Sequence, residues 1–93
     1  MKAIYTMVGM QHRGSVDFVA SLPKGEPIIL LRDPNNAHDP NAVMVWARGR
    51  HVAFLKAGEA FQLARRMDAI HQPKIEARLT FDGQRWPMAE VDE

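Results

Sequence analysis

Residues 42–55 read AVMVWARGRHVAFL, a pattern typical of two short strands joined by a tight turn. Small and β-branched residues alternate along the first strand, which places Val43, Val45 and Ala47 on one side. Arg48-Gly49 stands where a two-residue hairpin loop needs positive φ, which glycine adopts without steric cost. Arg50 to Leu55 is the returning strand, so this stretch predicts a β-hairpin at the centre of the fold.

The residues before the hairpin predict further strands. Residues 3 to 9 mix β-branched, aromatic and apolar side chains, which favours a strand that is mostly buried on both sides. Gln11 to Gly14 interrupts this pattern, and Val16 to Ser21 fits a second short strand. After a turn at Pro23-Lys24-Gly25, Pro27 to Leu31 is a continuous apolar run of strand length, and we expect it to lie in the core.

The residues after the hairpin predict one helix and two more strands. Between Ala57 and His71, apolar residues recur at spacings of three and four, the period of an amphipathic helix. Lys74 to Phe81 alternates apolar and polar residues, and a turn at Asp82-Gly83 leads to a last strand from Arg85 to Val91. Pro87 has no backbone N–H to donate, which suits the edge of a sheet.

These elements indicate a mainly β fold. We predict a small, partly open β-barrel of OB-like or SH3-like kind, with about six strands and one α-helix. The helix is inserted after the central hairpin as a plug over one end of the barrel. No repeat, low-complexity tract or linker interrupts residues 1–93, so we expect a single domain.

The composition narrows the class of protein. Of 93 residues, 46% are hydrophobic and 25% charged, the balance of a globular domain that is too small for a deep catalytic cavity. There is no cysteine, which excludes disulfides and thiolate chemistry and favours a reducing compartment. No apolar run is long enough to span a membrane, and we expect a cytoplasmic protein that has no contact with membranes.

A loop dense in turn residues leads into the hairpin. Asp33-Pro34-Asn35-Asn36 and Asp39-Pro40-Asn41-Ala42 each place Asp first and Pro second, which presets a type I turn. Together with the earlier segment Val8-Gly9-Met10-Gln11-His12-Arg13-Gly14, this loop closely resembles the HIRAN domain family. In that family the opening strand ends in a valine-glycine pair, and a loop of the same Asp-Pro-Asn-Asn type precedes a hairpin and a helix. The resemblance covers about residues 4 to 70.

The resemblance implies an OB-like barrel that binds single-stranded DNA and prefers a free 3′ hydroxyl end. It also implies a setting in DNA repair or replication, with a protein partner such as a helicase or a nuclease, here as a standalone copy of the domain. DNA-binding members use an aromatic residue in the segment that matches residues 8–14, which we call the glycine segment, and a tyrosine in the loop to stack on bases. His12 and His38 stand at those positions, and Gln11 replaces an arginine for which Arg13 is a substitute.

Single-strand binding needs flat side chains for the bases and cationic side chains for the phosphates. Twelve Lys and Arg oppose eleven Asp and Glu, but three of the acids lie in the last four residues, which leaves room for a local basic face. A carboxylate accepts the proton of a 3′ hydroxyl and repels a phosphate, which suits Asp39. The predicted nucleic-acid-binding residues are Gln11, His12, Arg13, Arg32, Asn35, Asn36, His38, Asp39, Phe54 and Lys56.

Three alternatives remain open from the residues themselves. The Asp and Asn side chains of the loop are also what a tight turn uses to bond its own amides. A small barrel can bind a peptide by adding a strand at a free edge. A metal-dependent hydrolase acting on nucleic acid would use His12, His38, Asp33 and Asp39, but no known catalytic spacing is present. We expect that the protein is not an enzyme and that it binds no metal or cofactor. Both DNA and RNA, and any oligomeric state, are compatible with these residues.

Overall fold

Six antiparallel strands close into one barrel in the computed structural model, which describes residues 1–93. The strands are β1 (Lys2–Val8), β2 (Pro27–Arg32), β3 (Val43–Ala47), β4 (Arg50–Leu55), β5 (Lys74–Phe81) and β6 (Pro87–Asp92). They are neighbours in the order β1-β4-β3-β2-β5-β6, and pairing of β1 with β6 joins the two ends of the chain. The β-barrel prediction is confirmed. The expectation that the barrel is partly open is wrong, because β1 pairs with β4 on one side and with β6 on the other.

The central hairpin forms as predicted. Arg48 and Gly49 both have positive φ, 50° and 78°, as a tight two-residue turn between twisted strands requires. Pro87 begins β6 opposite Phe81, so it occupies the first residue of a strand that has two partners rather than an edge.

Two α-helices and a 3-10 helix accompany the barrel, where we expected one helix. They are the 3-10 helix Met10–Arg13, α1 (Val16–Ser21) and α2 (Ala57–Ala69). The predicted strand from Val16 to Ser21 is therefore wrong. Val19 packs into the core, whereas Val16 stays half exposed. A six-residue segment is too short to reveal its period, and its β-branched residues favoured a strand.

One apolar core fills the barrel. It contains the inward residues of the strands together with one face of α2, formed by Ala60, Leu63, Ala64 and Met67. This face matches the helical stripe in the sequence, and α2 ends two residues before the predicted His71. Neither α1 nor α2 has the length and apolar character needed to cross a bilayer.

The contact between β1 and β4 is short and is completed by side chains. Only Met7 with Leu55 and Val8 with Phe54 pair directly. Farther along β4, the buried Ser15 donates its hydroxyl to the carbonyl of Val52. The 3-10 helix and Ser15 thus cover this part of the β4 edge, which is not free to receive a peptide strand.

Candidate nucleic-acid interface

A pocket of about 260 Å³ opens where the ends of β1 and β4 meet the loop of residues 33–42, which we call the Asp-Pro loop. We call it the end pocket, and its walls are Val8, Asn36, His38, Asp39, Ala42, Phe54, Leu55 and Ala57. The fold thus gathers four of the predicted residues, Asn36, His38, Asp39 and Phe54, in one concave site.

The Asp-Pro loop is held by its own side chains. The side-chain oxygen of Asn36 accepts hydrogen bonds from the amides of His38 and Asp39, at 2.9 and 3.0 Å. Its amide nitrogen donates to Asp33, 3.1 Å away. Asp39 Oδ1 accepts the amide of Asn41 at 2.9 Å, while Oδ2 has no protein partner. The polar groups of Asn36 thus serve the turn, whereas Asp39 keeps one oxygen available.

Arg32 lies behind this loop and does not line the pocket. Its side chain is only 4% exposed and makes a two-pronged ion pair with Asp68 of α2, at 2.9 and 3.0 Å. It also donates to the carbonyls of Ala42 and Pro40, at 2.7 and 2.9 Å. This placement does not fit the phosphate contact expected of Arg32, because its donors are spent on the protein. Arg32 is instead a positioning residue for the Asp-Pro loop.

Phe54 belongs to a row of aromatic rings on the outer face of the barrel. It points outward and is half-buried, and its ring makes a T-shaped contact with the ring of His51, with centroids 4.8 Å apart and planes at 78°. His51 in turn stacks on Trp46, with centroids 5.5 Å apart and planes within 13°. Sequence reasoning missed His51, although the register of the predicted hairpin places it opposite Trp46. Burial, and after it the charge of Arg13, lowers the pKa of His51.

The 3-10 helix presents its polar side chains to solvent beside Phe54. Gly9, at φ 82°, turns the chain out of β1, and a Cβ there would lie 4.0 Å from the Phe54 ring. His12 and Arg13 are exposed, and Arg13 Nε donates to the carbonyl of His51 at 2.9 Å. Gln11 is exposed as well but lines a different pocket.

Asn35 and Lys56 lie next to the end pocket in the chain without lining it. Both are exposed, and each adjoins a residue of its wall, Asn36 and Ala57 respectively. Asn35 therefore belongs to the outer side of the Asp-Pro loop. Lys56 places an exposed cationic side chain just before the first residue of α2.

The start of α2 gives one wall of the end pocket a positive polarity. Ala57 is the first residue of α2, and no side chain caps this end of the helix. The first amides of an α-helix lack intrahelical acceptors and carry part of the positive end of the helix dipole. The nearby Glu59 is not a cap, because its carboxylate accepts from the amide and hydroxyl of Thr6, at 2.7 and 3.1 Å.

A metal-dependent hydrolase needs a cluster of metal-binding side chains, and the structure contains none. No three His, Asp or Glu side chains converge closely enough to hold one ion. His12, His38, Asp33 and Asp39 therefore form no ligand set, although His38 and Asp39 share the end pocket.

The family model of the HIRAN domain matches residues 2–90. The chain belongs to the HIRAN domain family. The crystal structure of the HIRAN domain of human HLTF has 29% sequence identity and a TM-score of 0.73, covering 96% of this chain and 71% of that one. A crystal structure of a protein from Lactobacillus plantarum has 20% identity and a TM-score of 0.69, covering 99% of this chain and 100% of that one, and it supports the fold alone. No curated protein matches this chain.

Membership confirms the resemblance that the Asp-Pro loop and the glycine segment indicated. HIRAN domains are nucleic-acid-binding modules, and the domain itself is a binding module rather than a catalytic one. The end pocket, with aromatic, carboxylate and helix-terminal walls, is a concave site on this HIRAN domain that gathers four of the ten predicted residues.

Proposed function

We propose that this HIRAN domain captures the end of single-stranded DNA, with the 3′ hydroxyl in the end pocket. The observation that carries the proposal is the carboxylate of Asp39, which lines the pocket with one oxygen fixed by Asn41 and the other without a protein partner. A carboxylate oxygen in this position accepts a hydrogen bond from a terminal hydroxyl. It repels a terminal phosphate, which gives the site a means of selecting free ends.

The remaining walls suit the rest of a terminal nucleotide. Phe54 and His38 offer flat faces for a base, and each stacked base contributes about 1–3 kcal/mol. Arg13, Lys56 and the uncapped first amides of α2 supply positive charge for the phosphate on the 5′ side of the terminal sugar. His12, exposed on the 3-10 helix, is the second imidazole that we assign to stacking.

The nucleic-acid proposal is better supported than peptide binding. Strand addition needs a free sheet edge, but the barrel is closed and the carbonyls of His51 and Val52 are occupied by side chains. In the cell, end capture suits DNA repair or replication in the cytoplasm, with the domain directing a helicase or a nuclease to a strand terminus.

The test compares two labelled ten-nucleotide strands by fluorescence anisotropy, one ending in a 3′ hydroxyl and one in a 3′ phosphate. We expect the hydroxyl end to bind at least about tenfold more tightly, the ratio that one charge-assisted hydrogen bond gives. Asp39→Asn keeps the size of the side chain but removes its charge, so the phosphate end should lose its penalty. His38→Ala should weaken both strands, because stacking does not depend on the end group.

Glu76→Gln is the matched control, since it removes an exposed carboxylate on β5 that does not line the end pocket. It should leave both affinities unchanged. Equal binding of the two strands by the unmodified domain would refute end selection. Failure to bind either strand at low salt would refute the single-stranded DNA proposal itself, and a parallel RNA strand shows whether the sugar matters.

A further inference from the structure

We propose that a second pocket, beside Trp86, holds another base of the same strand on the 5′ side of the terminal nucleotide. This inference rests on the proposed function, because it takes a strand already seated in the end pocket. The Trp86 pocket has a volume of about 230 Å³, and its walls include Gln11, Val16, Phe81, Arg85, Trp86 and Pro87.

The two pockets flank the end of β1 from opposite sides. Val8 pairs with Phe54 on the β4 side, while the indole Nε1 of Trp86 donates to the carbonyl of Met7, 2.7 Å away. Neighbouring strands lie about 4.8 Å apart, so the main chains of Phe54 and Trp86 are separated by roughly two strand spacings, about 10 Å. A strand that leaves the end pocket over the 3-10 helix therefore arrives at Trp86.

The 3-10 helix and the residue before it contact both pockets. Gly9, just before it, lies beside the Phe54 ring, and Gln11 lines the Trp86 pocket. The exposed side chains of His12 and Arg13 stand between these points in the chain. A phosphate that connects the two bases thus passes close to cationic and hydrogen-bonding groups.

Trp86 is fixed in place and yet widely exposed. The carboxylate of Asp82 accepts the backbone amides of Gln84 and Trp86, both at 2.8 Å, and the amide of Asp82 donates to the Trp86 carbonyl at 2.9 Å. Hydrogen bonds therefore hold both the backbone of Trp86 and its indole Nε1, which donates to the carbonyl of Met7. Nevertheless, 45% of the residue remains exposed. A rigid, exposed indole offers an apolar face at little entropic cost to a ligand.

The lining of the Trp86 pocket matches a nucleotide better than a purely apolar ligand. Phe81, Pro87 and Val16 provide apolar walls for the faces of a base. Arg85 lies over the Phe81 ring, 4.9 Å from its centroid, and brings a positive charge to the rim. Apolar walls with a cation at the mouth are the combination that single-strand-binding surfaces use.

The test measures affinity against strand length, with a 5′-phosphorylated mononucleotide that has a free 3′ hydroxyl and with a 3′-hydroxyl octanucleotide. The mononucleotide occupies the end pocket alone, and the octanucleotide reaches both pockets. We expect Trp86→Ala to lower the octanucleotide affinity by about tenfold while leaving the mononucleotide affinity unchanged. Trp86→Phe keeps an aromatic face and should retain most of the gain with length. Phe61→Ala removes an exposed aromatic on α2 that lines neither pocket and should change nothing.

A scan of abasic sites through the octanucleotide identifies the base that the second pocket holds. One internal abasic position should weaken binding to the unmodified domain by about tenfold and have no further effect on Trp86→Ala. The second pocket is refuted if the affinity of the unmodified domain does not rise with strand length. It is also refuted if the affinity of Trp86→Ala rises with length as much as that of the unmodified domain. Equal loss of mononucleotide and octanucleotide binding in Trp86→Ala overturns it as well. If the unmodified domain still binds the mononucleotide in any of these cases, the end pocket stands. Loss of all binding by the unmodified domain refutes both pockets.

Discussion

The guanidinium of Arg32 joins three parts of the molecule at one buried point: β2, the Asp-Pro loop and α2. Its hydrogen bonds to Asp68 hold the pKa of that carboxyl below its ordinary value. The same side chain donates to two carbonyls of the loop, those of Pro40 and Ala42, and the Ala42 carbonyl also accepts the amide of Asp33 at 3.0 Å. The end pocket therefore depends on a residue that does not touch it.

Arg32→Ala should destabilise the domain by about 2–4 kcal/mol, because it removes the donor to the Pro40 carbonyl, one of two donors to the Ala42 carbonyl, and an ion pair. The free energy of unfolding in urea measures this loss. Affinity for a 3′-hydroxyl strand should fall as well, since the Asp-Pro loop is no longer held. Arg65→Ala, an exposed arginine on the same α2, is the control and should stay within about 0.5 kcal/mol of the unmodified domain. An equal effect of both substitutions would contradict the role of Arg32.

His51 should make stability depend on pH between neutral and mildly acidic conditions. Its pKa is lowered in the folded state by burial and then by the charge of Arg13, so the unfolded chain takes up a proton at a higher pH. Stability is therefore full above the unfolded pKa of about 6.5 and declines as pH falls towards the folded pKa.

Urea unfolding at pH 7.5 and pH 5.5 checks this prediction. The unmodified domain should lose more stability between the two than His51→Gln, which cannot titrate. A direct NMR titration of the imidazole should give a pKa below the ordinary histidine value. A pKa above that value would mean that the ring gains a favourable charge contact on folding.

The difference between Arg32 and His38 shows what single residues reveal in a sequence. Both were predicted as ligand contacts from their chemistry, and His38 does line the end pocket. The burial of Arg32 depends on Asp68, a residue of α2 distant in the chain that the sequence does not show to be near it. Residue type predicts which contacts are chemically suitable, but tertiary packing decides which are made.

Among the elements, local contacts separate the correct predictions from the wrong one. The hairpin of β3 and β4 is determined by a two-residue turn and by alternation over neighbouring residues, so the sequence predicts it. The conformation of α1 depends instead on Ser15, whose hydroxyl reaches Val52, thirty-seven residues along the chain. Such a distant contact leaves no periodic signal in six residues.

Ser15→Ala should destabilise the domain by about 1–3 kcal/mol, because it leaves the buried carbonyl of Val52 without a donor. Amide hydrogen exchange should become faster in the 3-10 helix, in α1 and in the adjoining part of β4, because this hydrogen bond joins Ser15 to β4. Ser21→Ala is the matched control, since Ser21 is exposed and bonds only the nearby carbonyl of Phe18. Uniform acceleration across the barrel would show that Ser15 supports global rather than local stability.

Closure of the barrel is a property of the whole molecule. β1 and β6 form five residue pairs, and the hydroxyl of Tyr5 donates to Glu93 at 2.7 Å. Closure thus depends on contacts between the two ends of the chain, which strand patterns alone do not reveal. One wall of the end pocket lies on the strand that closes the barrel, because β1 pairs with β6 through Lys2 to Thr6 and places Val8 beside Phe54 of β4.

Salt dependence should show that a local basic face, not the overall charge of +1, attracts the strand. For single strands, the slope of log K against log salt is about −0.7 for each phosphate contacted. If Arg13 and Lys56 each contact one phosphate, Arg13→Gln and Lys56→Gln should each make the slope shallower by about 0.7. Anisotropy titrations at four salt concentrations measure these slopes.

Arg78→Gln separates the local effect from the global one. It removes the same unit of charge from an exposed arginine on β5 that lines neither the end pocket nor the Trp86 pocket. Its slope should match that of the unmodified domain, because counterions are released only where phosphates are bound. A slope that changes equally in all three variants would instead indicate diffuse attraction by net charge. In that case, the pockets would select the end and the bases without fixing the path of the backbone.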